Sequence, residues 1–141
     1  MKFSIAAVTA ILAFVGSSVA DIETVSFDTV YDNGDNSLDI VSCSTGQFGL
    51  ITKGFTTFGS LPNFPYIGGA AVIPGFNSPN CGTCWALTYN GVTINVLAID
   101  HAGAGFNIAE EALNTLTNGQ AVQLGRINAS VQQVANSVCG L

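Results

Sequence analysis

Positive charge is almost missing from this chain. Lys2, Lys53 and Arg126 stand against nine acidic residues in 141, a formal net charge of −6. No basic run is available to hold a phosphate backbone or an anionic membrane surface, and the negative excess repels both, so nucleic-acid and membrane partners are excluded. Histidine occurs once, at His101. Charged residues of either sign make up only 9% of the chain. The surface is therefore built largely from uncharged hydrogen-bonding groups, which suits neutral polar partners such as sugars.

Long apolar runs are also scarce. The first has a basic start at Lys2, an apolar stretch from Ile5 to Val15, and the small residues Ser18-Val19-Ala20 where a signal peptidase would cut. It falls short of the ~20 apolar residues a spanning helix needs, and no later segment comes closer. Residues 1–20 are expected to be a secretory signal peptide and 21–141 one secreted domain, a size that supports a single core. Without Lys2 the mature charge is 2 − 9 = −7.

Four cysteines remain: Cys43, Cys81, Cys84 and Cys139. In an oxidising compartment an even count reads as two disulfides, with three connectivities open. Cys81-Gly-Thr-Cys84 also has the spacing of a redox motif or half a zinc site. Reduced thiols do not persist outside the cell unaided, and only His101 could join them as a nitrogen ligand, so no metal and no cofactor are expected. A Cys81–Cys84 bridge would close a very short loop. Bridges to Cys43 and Cys139 close longer ones and stabilise more, by ~2–4 kcal/mol each.

Most segments alternate with a period of two. VSFDTVYD (25–32) sets Val25, Phe27, Thr29 and Tyr31 opposite Ser26, Asp28, Val30 and Asp32, which predicts a strand. WALTY and VTINVLAI flank Asn90-Gly91, the dipeptide suited to a two-residue turn, and predict a hairpin over 85–99. Further strands are expected in AVQLGRINASVQQV and, shorter, around GLITKG. A helix is expected from Ile108 to Leu116, capped by Asn107 with Glu110 as its capping-box partner and ended by Asn118-Gly119, with an apolar stripe of Ile108, Ala112, Leu113 and Leu116. Residues 56–80, rich in Gly, Pro, Asn and aromatics, read as ordered loops with one short helix.

The chemistry-bearing stretch is NVLAIDHAGAGFN (95–107), an apolar run that ends at Asp100-His101 and breaks into glycines. As a phosphate loop it offers Gly103 and Gly105, but Asn107 and Ile108 stand where a dinucleotide fingerprint needs another glycine. A serine-hydrolase triad fails because no Gly-x-Ser-x-Gly elbow exists. A glycosidase needs two carboxylates, and the partners open to Asp100 are Asp28, Asp32, Asp35 and Asp39, otherwise read as turn and cap residues.

The segments VSFDTVYD, GLITKGFTTFGSLPNFPYIGG, FNSPNCGTCW, LAIDHAGAGFNIAEEAL and GRINASVQQV, in that order and with four cysteines so spaced, resemble the cerato-platanin family of small secreted fungal proteins. CGTCW and the Asp-x-x-x-x-Gly-Phe-Asn run at 100–107 are the most specific pieces. The resemblance implies an all-β fold with minor helices, an expansin-like six-stranded double-psi β-barrel, and the pairing Cys43–Cys81 with Cys84–Cys139. It also implies that Asp100 faces a polysaccharide groove without the second carboxylate of related endoglucanases.

Groove residues expected with Asp100 are Asn107, as cap and groove wall, Asp28 and Tyr31 from the first strand, and Asn77 from the loop before CGTCW. The expected function is non-catalytic binding of chitin-type N-acetylglucosamine oligomers, and of cellulose, by a monomer. The resemblance adds wall loosening, elicitor and virulence roles, and a plant surface receptor as partner. Two rival expectations are weak polysaccharide hydrolysis with Asp100 as acid, and hydrophobin-like self-assembly through an apolar patch of the aromatics in 55–66. Asn128-Ala129-Ser130 is a bare glycosylation sequon.

Overall fold

A computed structural model describes residues 20–141, so all but the last residue of the expected signal peptide lies outside the described residues. Six strands form the frame: β1 (Asp21–Phe27), β2 (Ile67–Ala70), β3 (Cys84–Tyr89), β4 (Val92–His101), β5 (Phe106–Ile108) and β6 (Arg126–Val134). They close into a barrel in the order β1-β5-β2-β4-β3-β6. β1 with β5 and β2 with β4 run parallel, and the other pairs are antiparallel. This is the six-stranded, mostly-β barrel with minor helices that the resemblance implies.

The β3–β4 hairpin turns at Asn90 (φ 46°) and Gly91 (φ 80°), the positive pair that a two-residue turn requires. β1 is shorter than its alternation predicts. The Asp28 carboxylate accepts a hydrogen bond from the Val30 backbone N–H at 2.9 Å and turns the chain into a 3-10 segment, Thr29–Asp32. A short acidic side chain that satisfies a nearby amide competes with the strand ladder and wins here. Tyr31 is buried by that turn rather than by strand alternation.

The helix α1 spans Glu110–Thr117 and begins later than expected. Asn107 does not cap it, because residues 106–108 form β5, with Asn107 paired to Ser26 and to Gly69. Ile108 therefore reaches the core from a strand, while Ala112, Leu113 and Leu116 do so from the helix. The cap comes from far away in sequence. Asp32 accepts from the Glu110 N–H at 2.8 Å and from the Glu111 N–H at 3.0 Å, placing a carboxylate on the positive end of the helix dipole. Asn118, at φ 56°, ends the helix as expected.

GLITKG forms turns, not a strand. The chain before β6 is a short helix, α2 (Ala121–Leu124). β2 lies inside the stretch read as loops, where Phe58–Ser60 supplies the short helix. The aromatics of 55–66 do not form an exposed patch: Phe58 is fully buried and stacks with Tyr31 at 6.1 Å, while Phe55, Phe64 and Tyr66 pack against the core. Cys43 joins Cys81 and Cys84 joins Cys139, the pairing implied by the resemblance, across 38 and 55 residues of sequence.

β2 is a tight joint between its two neighbours. A Cβ on Gly68 would meet the Asn107 carbonyl oxygen at 2.4 Å and the Ile108 Cα at 2.6 Å, and one on Gly69 would meet the His101 carbonyl oxygen at 2.7 Å. Between Gly68 and Gly69 the register against β4 skips Ile99. That bulge lets Ala98 and Ile99 both face the core and delivers Asp100 to the rim.

Two stability measurements follow from these contacts. Leu113→Ala, at a fully buried position, is expected to lose about 2–5 kcal/mol in urea unfolding. Asp32→Ala is expected to lose about 1–2 kcal/mol through the helix cap alone, with an unchanged denaturant slope.

Candidate functional site

The strand register lines up one continuous row across five strands. Asp100 of β4 pairs with Gly69 of β2, Gly69 with Asn107 of β5, Asn107 with Ser26 of β1, and Ser26 with Arg126 of β6. Residues in register share a face of the sheet, so the four side chains lie on one side with a gap at Gly69. None of the four is buried, whereas Val25, Phe106, Ile108 and Ile127 beside them are. Four strand spacings of about 4.8 Å make the row roughly 19 Å long on the barrel's outer surface.

Beside this row is an open polar cleft of about 320 Å³, lined by Ser26, Asn107 and Arg126 and walled by residues 101–104. The Ser26 hydroxyl donates to Asn107 Oδ1 at 3.0 Å. His101 Nδ1 lies 2.6 Å from the Ile73 carbonyl oxygen. A carbonyl only accepts, so Nδ1 carries a proton and Nε2 is the nitrogen left for the cleft.

Asp100 is tied on both oxygens. Oδ2 accepts from the Tyr31 hydroxyl at 2.9 Å, and Oδ1 accepts from the Ser42 N–H at 3.0 Å and the His101 N–H at 2.8 Å. This one side chain fastens the 29–32 turn and the 42–43 segment to the end of β4. Burial, then the neighbouring Asp100 carboxylate and its hydrogen bond, and then Asp28, push the Tyr31 phenol well above its ordinary value of 10.0. Tyr31 is therefore a fixed donor at any physiological pH.

Asp28, Tyr31 and Asp100 thus come together, and Asn107 joins Asp100 through Gly69. Asn77 does not line the cleft. It sits at φ 57° with Oδ1 accepting from the Phe48 N–H at 3.0 Å, covering Gly46, and so clasps a loop. Ser26, Arg126 and His101 were not singled out as groove residues from the sequence. The alternation that put Ser26 on the face of Asp28 was the signal for the first, and nothing local marked the pairing of Ser26 with a residue a hundred positions away. Asn128 is exposed on β6, two residues beyond Arg126 on the same face.

Three of the carboxylates near the amino end accept hydrogen bonds within the protein, two of them from backbone N–H groups. Asp28 caps the turn at 29–32, Asp32 caps α1, and Asp39 accepts from the Ser37 hydroxyl at 3.2 Å. Among the described residues, no group of three or more His, Cys, Asp or Glu side chains is placed to hold a metal ion.

A family model described as Cerato-platanin matches residues 23–141. The chain belongs to the cerato-platanin family. It is 37% identical over 141 residues to "Cerato-platanin" of Ceratocystis fimbriata f. sp. platani, covering 99% of this chain and 96% of that one. It is 46% identical over 145 residues to the "Heat-stable 19 kDa antigen" of Coccidioides immitis, covering 100% and 99%. Among solved structures it resembles cerato-platanin 2 from M. perniciosa, with TM-score 0.82, 53% identity, and 86% of this chain and 100% of that chain covered. The solution structure of the fungal elicitor Cerato-platanin matches with TM-score 0.75 and 37% identity, over 82% and 95%.

The tyrosine at the site makes the barrel sensitive to alkali. With the folded value raised above the unfolded one, Tyr31 contributes stability that is fully present below about pH 10 and is lost as pH rises beyond it. Urea titrations at pH 7 and at pH 11 are expected to show this loss in the native protein. Tyr31→Phe should lower stability at pH 7 by about 1–2 kcal/mol, from the hydrogen bond it removes, and flatten the alkaline decline.

Proposed function

We propose that this cerato-platanin is a secreted, non-hydrolytic carbohydrate-binding protein that recognises chitin-type N-acetylglucosamine oligomers. The observation that carries this reading is the five-strand row Asp100–Gly69–Asn107–Ser26–Arg126 beside an open polar cleft. An extended saccharide needs a shallow surface with hydrogen-bonding groups spaced along it and room for its rings to approach the backbone. A row of polar side chains interrupted by a glycine provides both. The Asn107 amide, the Ser26 hydroxyl and His101 Nε2 are hydrogen-bonding partners matched to hydroxyl and acetamido groups.

Binding without cleavage follows from how Asp100 is held. A general acid must present a proton to the glycosidic oxygen, and a second carboxylate must act on the opposite face of the ring. Both oxygens of Asp100 already accept hydrogen bonds from the protein, and Asp28 holds the backbone of the 29–32 turn. Two disulfides suit an oxidising compartment, and no helix among the described residues is long and apolar enough to cross a membrane. Both agree with secretion to the wall or medium. Wall loosening and elicitation of plant defences, with a plant surface receptor as partner, are the roles this reading assigns. The elicitor role draws on the relative described as a fungal elicitor.

Calorimetry with N-acetylglucosamine oligomers and cello-oligomers, paired with a long reducing-end assay, tests the reading. Wild-type protein is expected to bind the former and to release essentially no reducing sugar from chitin or cellulose. Asp100→Ala is expected to weaken binding by about 1–3 kcal/mol, with Asp100→Asn closer to wild type because its one oxygen keeps the Ser42 and His101 N–H bonds and its amide can donate to the Tyr31 oxygen. Sustained sugar release that vanishes in Asp100→Ala would establish an enzyme instead. Unchanged binding in both variants would move the site away from Asp100.

A further inference from the structure

A neutral saccharide leaves one end of the row without a purpose. Arg126 is exposed, lines the cleft, and has neither an ion pair nor a side-chain hydrogen bond among the described residues. Its guanidinium offers five donors in a planar fork that matches a carboxylate two-to-two, a geometry a lone sugar hydroxyl cannot use. No carboxylate is among the residues lining the cleft. Asp100 stands at the other end of the row, and both of its oxygens accept hydrogen bonds from the protein. Asp28 follows Ser26 by two residues on the same face, and one of its oxygens is held by the Val30 N–H.

The neighbours of Arg126 point the same way. Ser26, its partner in the β1–β6 ladder, turns its hydroxyl toward Asn107 Oδ1. That leaves the Asn107 Nδ2 donors without a partner among the described residues. Guanidinium and amide donors thus line one stretch of the cleft in a chain whose net charge is −6.

The geometry points to a subsite for a single carboxylate carried by the saccharide, held by Arg126 with the Asn107 amide beside it. This rests on the cleft being a saccharide site. The ligand class is narrow, because the chain's overall negative charge repels polyuronates. It is a neutral oligosaccharide with one acidic end, such as an N-acetylglucosamine oligomer whose reducing end is an aldonic acid.

A matched pair of probes tests the subsite: the N-acetylglucosamine tetramer reduced to its alditol, and the same tetramer oxidised to its aldonic acid, each titrated calorimetrically into the mature protein. The two differ only in the carboxylate. The aldonate is expected to bind about ten-fold more tightly at low salt, with the advantage shrinking as salt is raised. Arg126→Gln should bring the aldonate-to-alditol affinity ratio down to about one, whatever it does to alditol affinity itself, and Arg126→Lys should restore part of the ratio. Equal affinity for the two probes, or an advantage that survives Arg126→Gln, overturns the subsite and leaves the saccharide reading standing. Failure of the wild type to bind either probe overturns both. Binding of the aldonate alone, dependent on Arg126, keeps the subsite and ends the preference for neutral chitin oligomers.

Discussion

The close approach of β4 and β5 on either side of Gly68-Gly69 is the constraint on which the rest of the barrel depends. β2 is only four residues long, yet it must bond to a parallel neighbour on one side and an antiparallel one on the other. Side chains there would collide with the backbones of both. Two glycines resolve the crowding at some cost in chain entropy, offset by the ladder bonds they permit. The same joint produces the bulge at Ile99, and the bulge sets Asp100 at the rim in line with Asn107. Barrel closure and the polar row are one piece of geometry seen from its inner and outer surfaces.

Acidic residues in this protein act mainly as backbone anchors. Asp28 turns the chain out of β1, Asp32 reaches across to cap α1, and Asp100 gathers Tyr31, Ser42 and His101. With so few lysines and arginines, N–H groups and hydroxyls take the place of ion-pair partners. A carboxylate that accepts from two or three fixed donors is positioned more firmly than one in a surface salt bridge, which contributes only ~0–1 kcal/mol. The barrel is held by these directional contacts, two disulfides and its apolar core, with little help from ion pairs.

How much of this could be read from the residues depended on the range of each interaction. The β3–β4 hairpin was legible because Asn90-Gly91 dictates its turn locally, and the apolar face of α1 was legible from its helical spacing. The start of that helix was not. Asn107 has the chemistry of a cap, but pairing with Ser26 and Gly69 draws it into β5, and the capping is done by Asp32 from 78 positions away. β2 hid for a related reason: apart from Ile67, IGGA carries little strand propensity, and only the crowding around it makes glycine the residue that fits. Asp100, Asp28 and Tyr31, named from the sequence and its family likeness, are neighbours in the fold. Ser26 and Arg126 depend on register, which alternation along a single strand cannot reveal. Asn77 had the right residue type in a loop whose geometry assigns it to Phe48.

Closure of the barrel by β1 and β6 has a further consequence. Each of the six strands is bonded on both sides over part of its length, so among the described residues no strand stands as a full open edge for another molecule's strand. A whole unpaired edge strand is the ordinary template for cross-β growth, and the described barrel does not present one. Any assembly of the native protein on a wall or at an air–water boundary has to proceed through side-chain faces, with the barrel passing intact into the film.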